Sequence, residues 1–255
     1  KKGGRHLMTG ISGTARTVYL AALHENIQRP MVIVGDSQFH ADQLAEDLAA
    51  MVGDEHVAVF PTEETLSAEI AVTSLDTRLA RVQALHLLLT DPQAVVVTGV
   101  AGVQRYLPPV ATFAAAALEI DFDHEYELAE LQATLYQMGY QRNGSVEQPG
   151  EFAVRGSIVD IYPLDADYPV RLDFFDTALD SLRSFDAETQ RSLENLEHVP
   201  ILPATDLVID AADLQAATTR LEVAMTETRD KLDGAAKRHL TEALDPLLTV
   251  MAQGD

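Results

Sequence analysis

The sequence has no cysteine, few lysines, no run of basic residues and no long apolar run. Without cysteine there is no disulfide and no thiolate metal site, which fits a cytoplasmic protein. The apolar runs, such as MVIVG, HVAVF and AVVVTG, stop far short of the roughly 18 residues a membrane-spanning helix needs. Nothing at the N-terminus resembles a secretory signal. The four lysines, Lys1, Lys2, Lys231 and Lys237, lie at the two ends, so the middle of the chain carries its fixed positive charge on arginine. The formal net charge is −22. Such a surface repels nucleic-acid phosphates and acidic lipid headgroups, and direct DNA binding would need a concentrated basic patch that no run here supplies. His124 and Glu125 lack HExxH spacing, the eight histidines form no metal-ligand pattern, and no Gly-x-Ser-x-Gly elbow is present. No metal, cofactor or catalytic nucleophile is expected.

What is present is a chain of 255 residues, 47% hydrophobic, able to bury a large core in one large or two smaller domains. It opens KKGGRHLM without an initiator Met and stops at AQGD soon after a helical pattern, as a fragment of something longer would. From residue 5 to about 117, short apolar strands (RHLMT, MVIVG, HVAVF, AVVVTG) alternate with helix-length segments. The helices are expected over Ala15 to Asn26, from a Ser37 cap to near Met51, and over Ser74 to Thr90. Alternation of this kind predicts an α/β domain, a parallel sheet flanked by helices. Near residue 118 the rhythm changes. After LEIDFD and an amphipathic helix, Tyr126 to Met138, come EFAVRGSIVDIYP, PVRLDFFD and DSLRSFD, separated by short polar turns. These predict antiparallel hairpins in a small α+β domain. From about Pro203 the pattern is helical again. The expected domains are therefore 1–117, 118–201 and a helical segment, 202–255, returning to the first. Asn143-Gly144-Ser145 fits a glycosylation sequon but reads as a turn.

TGISGTART, Thr9 to Thr17, has nearly the shape of the phosphate-binding loop GxxxxGK[ST]. Gly10, Gly13 and Thr17 fit a strand-to-helix phosphate cradle, but Ala15 stands where the second Gly belongs and Arg16 where the Lys belongs. A planar guanidinium does not replace a compact ammonium against the β and γ phosphates, and Ala15 adds a Cβ where backbone and phosphate approach. For a metal-binding acid there are Asp36 after MVIVG, equally suited to helix capping, and DEH at Asp54 to His56, which precedes its strand. The two readings are a working nucleotide site and a structural strand-to-helix turn; the altered residues favour the turn.

In residues 118–201 the basic residues besides histidine are Arg142, Arg155, Arg171, Arg183 and Arg191. Two-residue alternation on PVRLDFFD puts Val170, Leu172 and Phe174 on one face and Arg171, Asp173 and Phe175 on the other. An exposed Phe beside an Arg is enriched in protein–protein hot spots. The competing reading buries Phe175 under a helix and pairs Arg171 locally with Asp160 or Asp173. Arg155 precedes Gly156, which inside a strand suggests a bulge or close approach of another backbone.

GEFAVRG, DIYP, RLDFFD, DSLRSFD and TQRS, in this order between Gly139 and Ser192, closely resemble the UvrB-homology module at the N-terminus of the bacterial transcription-repair coupling factors, the Mfd family. FPTEETL (Phe60 to Leu66) and ILPATD (Ile201 to Asp206) extend the likeness, which is weakest after about residue 210. The resemblance implies a helicase-like domain that has lost ATP binding and an inserted α+β domain that docks on UvrA through two arginines and a phenylalanine. Those positions here are Arg155, Arg171 and Phe175. It also implies that RNA polymerase binding, DNA translocation and ATP hydrolysis belong to domains beyond this chain. UvrB itself, an ATP-dependent repair helicase, is the related alternative. It would carry an intact phosphate loop and a long aromatic hairpin, for which the roughly 25 residues between AVVVTG and EYELAELQ leave no room.

Overall fold

The computed structural model of the chain describes residues 4–62, 74–208 and 211–253. Within FPTEETL, residues 63–66 lie outside the described residues. The chain divides into two compact units, Lys1–Asp206 and Leu207–Asp255.

The first unit begins with helix α1 (Thr14–Ile27), strand β1 (Met31–Gly35), α2 (Gln38–Val52), β2 (Val57–Phe60), α3 (Leu75–Thr90) and β3 (Val95–Gly99). The strands form a parallel sheet in the order β1-β3-β2. β3 is central and buried along its whole length, which is why it reads as an unbroken β-branched run rather than an alternating one. α2 lays Ala41, Leu44, Ala45 and Leu48 on Val95 and Val97, while α3 covers Phe60 and Val96 with Ala84 on the opposite face. Ser37 and Ser74 cap α2 and α3, accepting hydrogen bonds from the backbone N–H of His40 and Thr77, each at 3.2 Å. The DEH segment is a single 3-10 turn, Asp54–His56, ahead of β2.

One strand expected from the sequence is absent. RHLMT is irregular, with Leu7 91% exposed. Its adjacent Leu7 and Met8 would point to opposite faces of a strand, so neither face would bury enough to offset the ordering of five residues.

Two short helices follow, α4 (Val100–Val103) and α5 (Val110–Ala115), and then β4 (Leu118–Asp121) and α6 (Leu128–Gln137). A six-stranded sheet comes next: β5 (Gln141–Arg142), β6 (Glu151–Arg155), β7 (Ile158–Ile161), β8 (Val170–Phe175), β9 (Ala178–Phe185) and β10 (Ser192–Asn195). Its order is β10-β9-β8-β7-β6-β5, antiparallel throughout except for the parallel β5–β6 pair. The last strand, β11 (His198–Ile201), returns to pair antiparallel with β4, setting Ile201 opposite Leu118. Entry to and exit from the hairpin region are thus adjacent.

One face of the large sheet forms the core. Phe152, Val159, Ile161, Val170, Leu172, Phe174, Leu179 and Leu182 are buried there, and Tyr136 of α6 meets Phe152 edge-on at 5.2 Å. On β9 the buried Leu179 and Leu182 are three apart, which plain alternation forbids. Asp173 pairs with Ser181 and Phe174 with Leu179, leaving Asp180 as an extra residue that returns Leu179 to the core face.

Near the end of this unit, Asp206 is buried and its carboxylate accepts from Arg105 Nε at 2.6 Å, with Arg81 Nη1 at 4.0 Å. Arg81, itself buried between α3 and β2, donates Nε–H to the carbonyl of Pro61 at 2.8 Å. The second unit contains α7 (Ala211–Arg229) and α8 (Gly234–Gln253), packed against each other. Asp233 caps α8, accepting from the backbone N–H of Ala236 at 3.1 Å.

Candidate protein-docking surface

The opposite face of the six-stranded sheet carries the charged residues. Cross-strand register sets Ala153, Asp160, Arg171 and Arg183 in one row, and Arg155, Ile158, Asp173 and Ser181 in the next. Arg155 and Arg171 therefore share a face, a relationship the sequence left open. Both guanidinium groups converge on Asp160, which is 1% exposed. Arg171 donates Nε–H to Oδ1 at 2.6 Å and Nη2–H to Oδ2 at 2.9 Å, a two-point fork, and Arg155 donates from Nη2 to the same Oδ2. Hydrogen bonding to Asp160 holds the Arg171 pKa above its ordinary value, although burial opposes it.

Arg171 is fixed from two further sides. Its Nη2 also donates to Gln190 Oε1 at 2.7 Å, and its guanidinium carbon lies 4.2 Å from the ring centroid of Phe185. Phe185 is fully buried, packed with Val146 and Ala153 in a small second cluster on this charged face. Gln190 has φ 60, a left-handed conformation rare for a residue with a Cβ.

Phe175 ends β8 on the same face, 79% exposed. Its neighbour Phe174 turns into the core and stacks edge-on with Tyr126 at 5.9 Å. Arg155 ends β6 at this same edge, because Gly156 and Ser157 form a two-residue hairpin turn whose Ser157 carbonyl accepts from Phe174 N–H at 3.1 Å. Gly156 has φ +64 at the first turn position, the II′ pattern, and a Cβ there would meet nothing within 4 Å. The glycine marks a tight turn, not the bulge or backbone approach expected from the sequence.

The local pairing and the exposed aromatic fall on different residues of β8. Arg171 pairs with Asp160, as the local reading has it, while Phe175 is exposed, as the interface reading has it. Sequence reasoning missed Phe185 and Gln190, which hold the Arg171 guanidinium in place, and the position of Arg183 opposite Arg171. Continuing the two-residue alternation along SLRSF would have put Arg183 and Phe185 on the charged face.

The phosphate-loop residues lie elsewhere. Gly10 and Gly13 both take positive φ, 78 and 54. Arg16 N–H donates to the Gly13 carbonyl at 3.0 Å in the first turn of α1. Ala15 and Arg16 are exposed, whereas Thr17 is buried at 2% exposure. Asp36 pairs with His40, its carboxylate accepting from Nδ1 at 2.7 Å, while Ser37 does the capping.

Comparison with known proteins adds identity to this geometry. The family model of the UvrB interaction domain matches residues 118–207. The chain is 34% identical over 237 residues to the transcription-repair-coupling factor of Bacillus subtilis (strain 168) and 31% identical over 239 residues to that of Staphylococcus haemolyticus (strain JCSC1435). These alignments cover 93% and 94% of this chain and 20% of each relative, so the chain spans about a fifth of the length of the curated relatives it matches. The hairpin region is a UvrB interaction domain. Over nearly its whole length the chain is similar to part of these transcription-repair-coupling factors, and its hairpin region matches the UvrB interaction domain model.

Proposed function

We propose that this chain is a non-catalytic interaction module of transcription-coupled nucleotide excision repair, and that it recruits UvrA through Arg155, Arg171 and Phe175. The observation that carries this reading is the exposure of Phe175 at the edge where Arg155 also ends, next to an arginine row anchored on buried Asp160. An exposed aromatic beside held guanidinium groups offers a pocket-filling anchor and a carboxylate partner at little entropic cost. The UvrB interaction domain match over 118–207 supports the same choice of partner.

In this reading residues 118–201 are an inserted domain, consistent with the pairing of Leu118 and Ile201, and the parallel-sheet domain is a helicase-like scaffold with a vestigial phosphate loop. Contacts with RNA polymerase, DNA and ATP belong to the remaining four-fifths of the family protein, which acts in the cytoplasm. The nucleotide-hydrolysing alternative has less to rest on. A phosphate loop presents its final hydroxyl to the magnesium ion, and Thr17 is buried. The test is a pull-down of UvrA by this chain: wild type should retain UvrA and Phe175→Ala should not. Equal retention by both would remove Phe175 from the site.

A further inference from the structure

Among the described residues, no carboxylate answers the charge of Arg183. It lies directly across from Arg171 in the β8–β9 ladder, where two like charges oppose each other at a cost. Arg171 is compensated by Asp160. Arg183 is not: its Nη1 donates to the neutral Ser181 Oγ at 2.9 Å, and its Nε is buried without a hydrogen-bond partner among the described residues. Among the described residues no carboxylate lies within ion-pair distance of it. The face as a whole sets three guanidinium groups, of Arg155, Arg171 and Arg183, against three carboxylates, Glu151, Asp160 and Asp173, of which Asp160 is taken by Arg155 and Arg171 and Glu151 by Asn143 and the backbone of Glu147 and Gln148. A guanidinium left without a carboxylate partner on a molecule of net charge −22 is directional: it selects an acidic partner group and repels basic ones.

We propose that Arg183 is a third basic recognition residue of this face and that it takes a carboxylate supplied by the partner. The partner segment is acidic and runs across the sheet from Arg155 on β6, past Phe175 at the end of β8, to Arg183 on β9. This rests on the UvrA-docking reading and extends it by one residue and by the chemistry of the bound segment. Arg183 pairs with the incoming carboxylate as Arg171 pairs with Asp160 inside the domain, which explains why an uncompensated arginine is kept opposite another. Arginine rather than lysine suits this position, because its fork can hold Ser181 with one nitrogen and offer another to the partner.

The experiment is calorimetric titration of UvrA with the whole chain, comparing wild type, Arg183→Ala, Arg183→Gln, Arg171→Ala and Arg142→Ala. Gln keeps a donor for Ser181 and removes the charge, and thermal melting checks that each variant is folded. Arg142 lies exposed on the far edge strand β5 and controls for loss of one positive charge at a distance. The expected result is about tenfold weaker binding for both Arg183 variants, a shallower salt dependence, and wild-type affinity for Arg142→Ala. Wild-type affinity for Arg183→Gln, with Arg171→Ala weakened, overturns the role of Arg183 and leaves the docking face standing. Equal weakening by Arg183→Gln and Arg142→Ala overturns it too, since the effect is then one of overall charge. If Arg171→Ala also binds like wild type, the docking reading falls, and this inference with it.

Discussion

Arg171 and Asp160 form a two-point ion pair across the β7–β8 ladder, Nε to Oδ1 at 2.6 Å and Nη2 to Oδ2 at 2.9 Å, with the carboxylate almost fully buried. A buried acid of this kind is tolerated only because it is paired, and here it also takes Arg155. Asp160 thus does for the two arginines what a rigid frame would: it fixes where their remaining N–H groups point.

Removing Asp160 should therefore damage both stability and docking. Asp160→Ala leaves Arg171 mostly buried without its counter-charge, and we expect a loss of about 2 kcal/mol, below the range for fully buried pairs because Arg155 is half-exposed. Urea denaturation of the variant against wild type measures it. An unchanged midpoint would show that the pair contributes nothing net.

Phe175 should behave in the opposite way. With most of its ring in solvent, Phe175→Ala should alter stability by less than about 0.5 kcal/mol. If the ring is the anchor of a docking site, the same change should cost about 2 kcal/mol of binding, roughly 30-fold in affinity for UvrA. Leu172→Ala, on the buried face of the same strand, is the contrast: a loss of roughly 2–5 kcal/mol in stability. Melting curves of the two variants side by side separate the faces of β8.

Asp206 should be a stability determinant of the first unit. It is buried with Arg105 Nε at 2.6 Å and Arg81 Nη1 nearby. Asp206→Ala should cost about 3 kcal/mol, seen as a lowered thermal midpoint, because the buried Arg81 loses a carboxylate beside it. A midpoint within a degree of wild type would contradict this.

A pH dependence follows from His56 and Asp91, whose Nδ1–Oδ2 distance is 2.6 Å. The hydrogen bond to Asp91 raises the His56 pKa above its ordinary 6.5. Burial pushes Asp91 up, but the bonds from His56 and the Gln93 backbone hold it below 3.8. A raised histidine stabilises fully below its unfolded pKa and loses this as pH rises through the folded one. A lowered aspartate stabilises above its unfolded pKa and loses this as pH falls through the folded one. The pair should thus contribute fully between about pH 4 and 6.5 and fade on either side. The gap in melting temperature between wild type and His56→Gln should be widest in that window and shrink toward pH 8; a gap independent of pH would count against the ion pair.

Much of this architecture is legible in the sequence, and the misses have physical causes. The parallel sheet is visible because β3 is buried on both faces and reads as AVVVTG, and the Ser37 and Ser74 caps mark their helices locally. The alternation on VRLDFF places Phe175 and Arg171 correctly because β8 is a regular strand until its last pairs. On β9 the same rule fails, since the bulge at Asp180 is a property of the pairing and leaves no mark in ALDSLRSF. RHLMT shows the reverse error: a strand-like run without enough apolar surface on either face stays irregular. The convergence of Arg155 and Arg171 on Asp160 spans three strands, and no local pattern carries their register.

The most direct test of the central claim is the affinity of this chain for UvrA, wild type against Arg171→Ala, at low and at moderate salt. The account predicts saturable binding by wild type that weakens as salt is added, and a loss of about 30-fold for Arg171→Ala at low salt. Equal affinity of the two chains, or no binding by wild type, would contradict it.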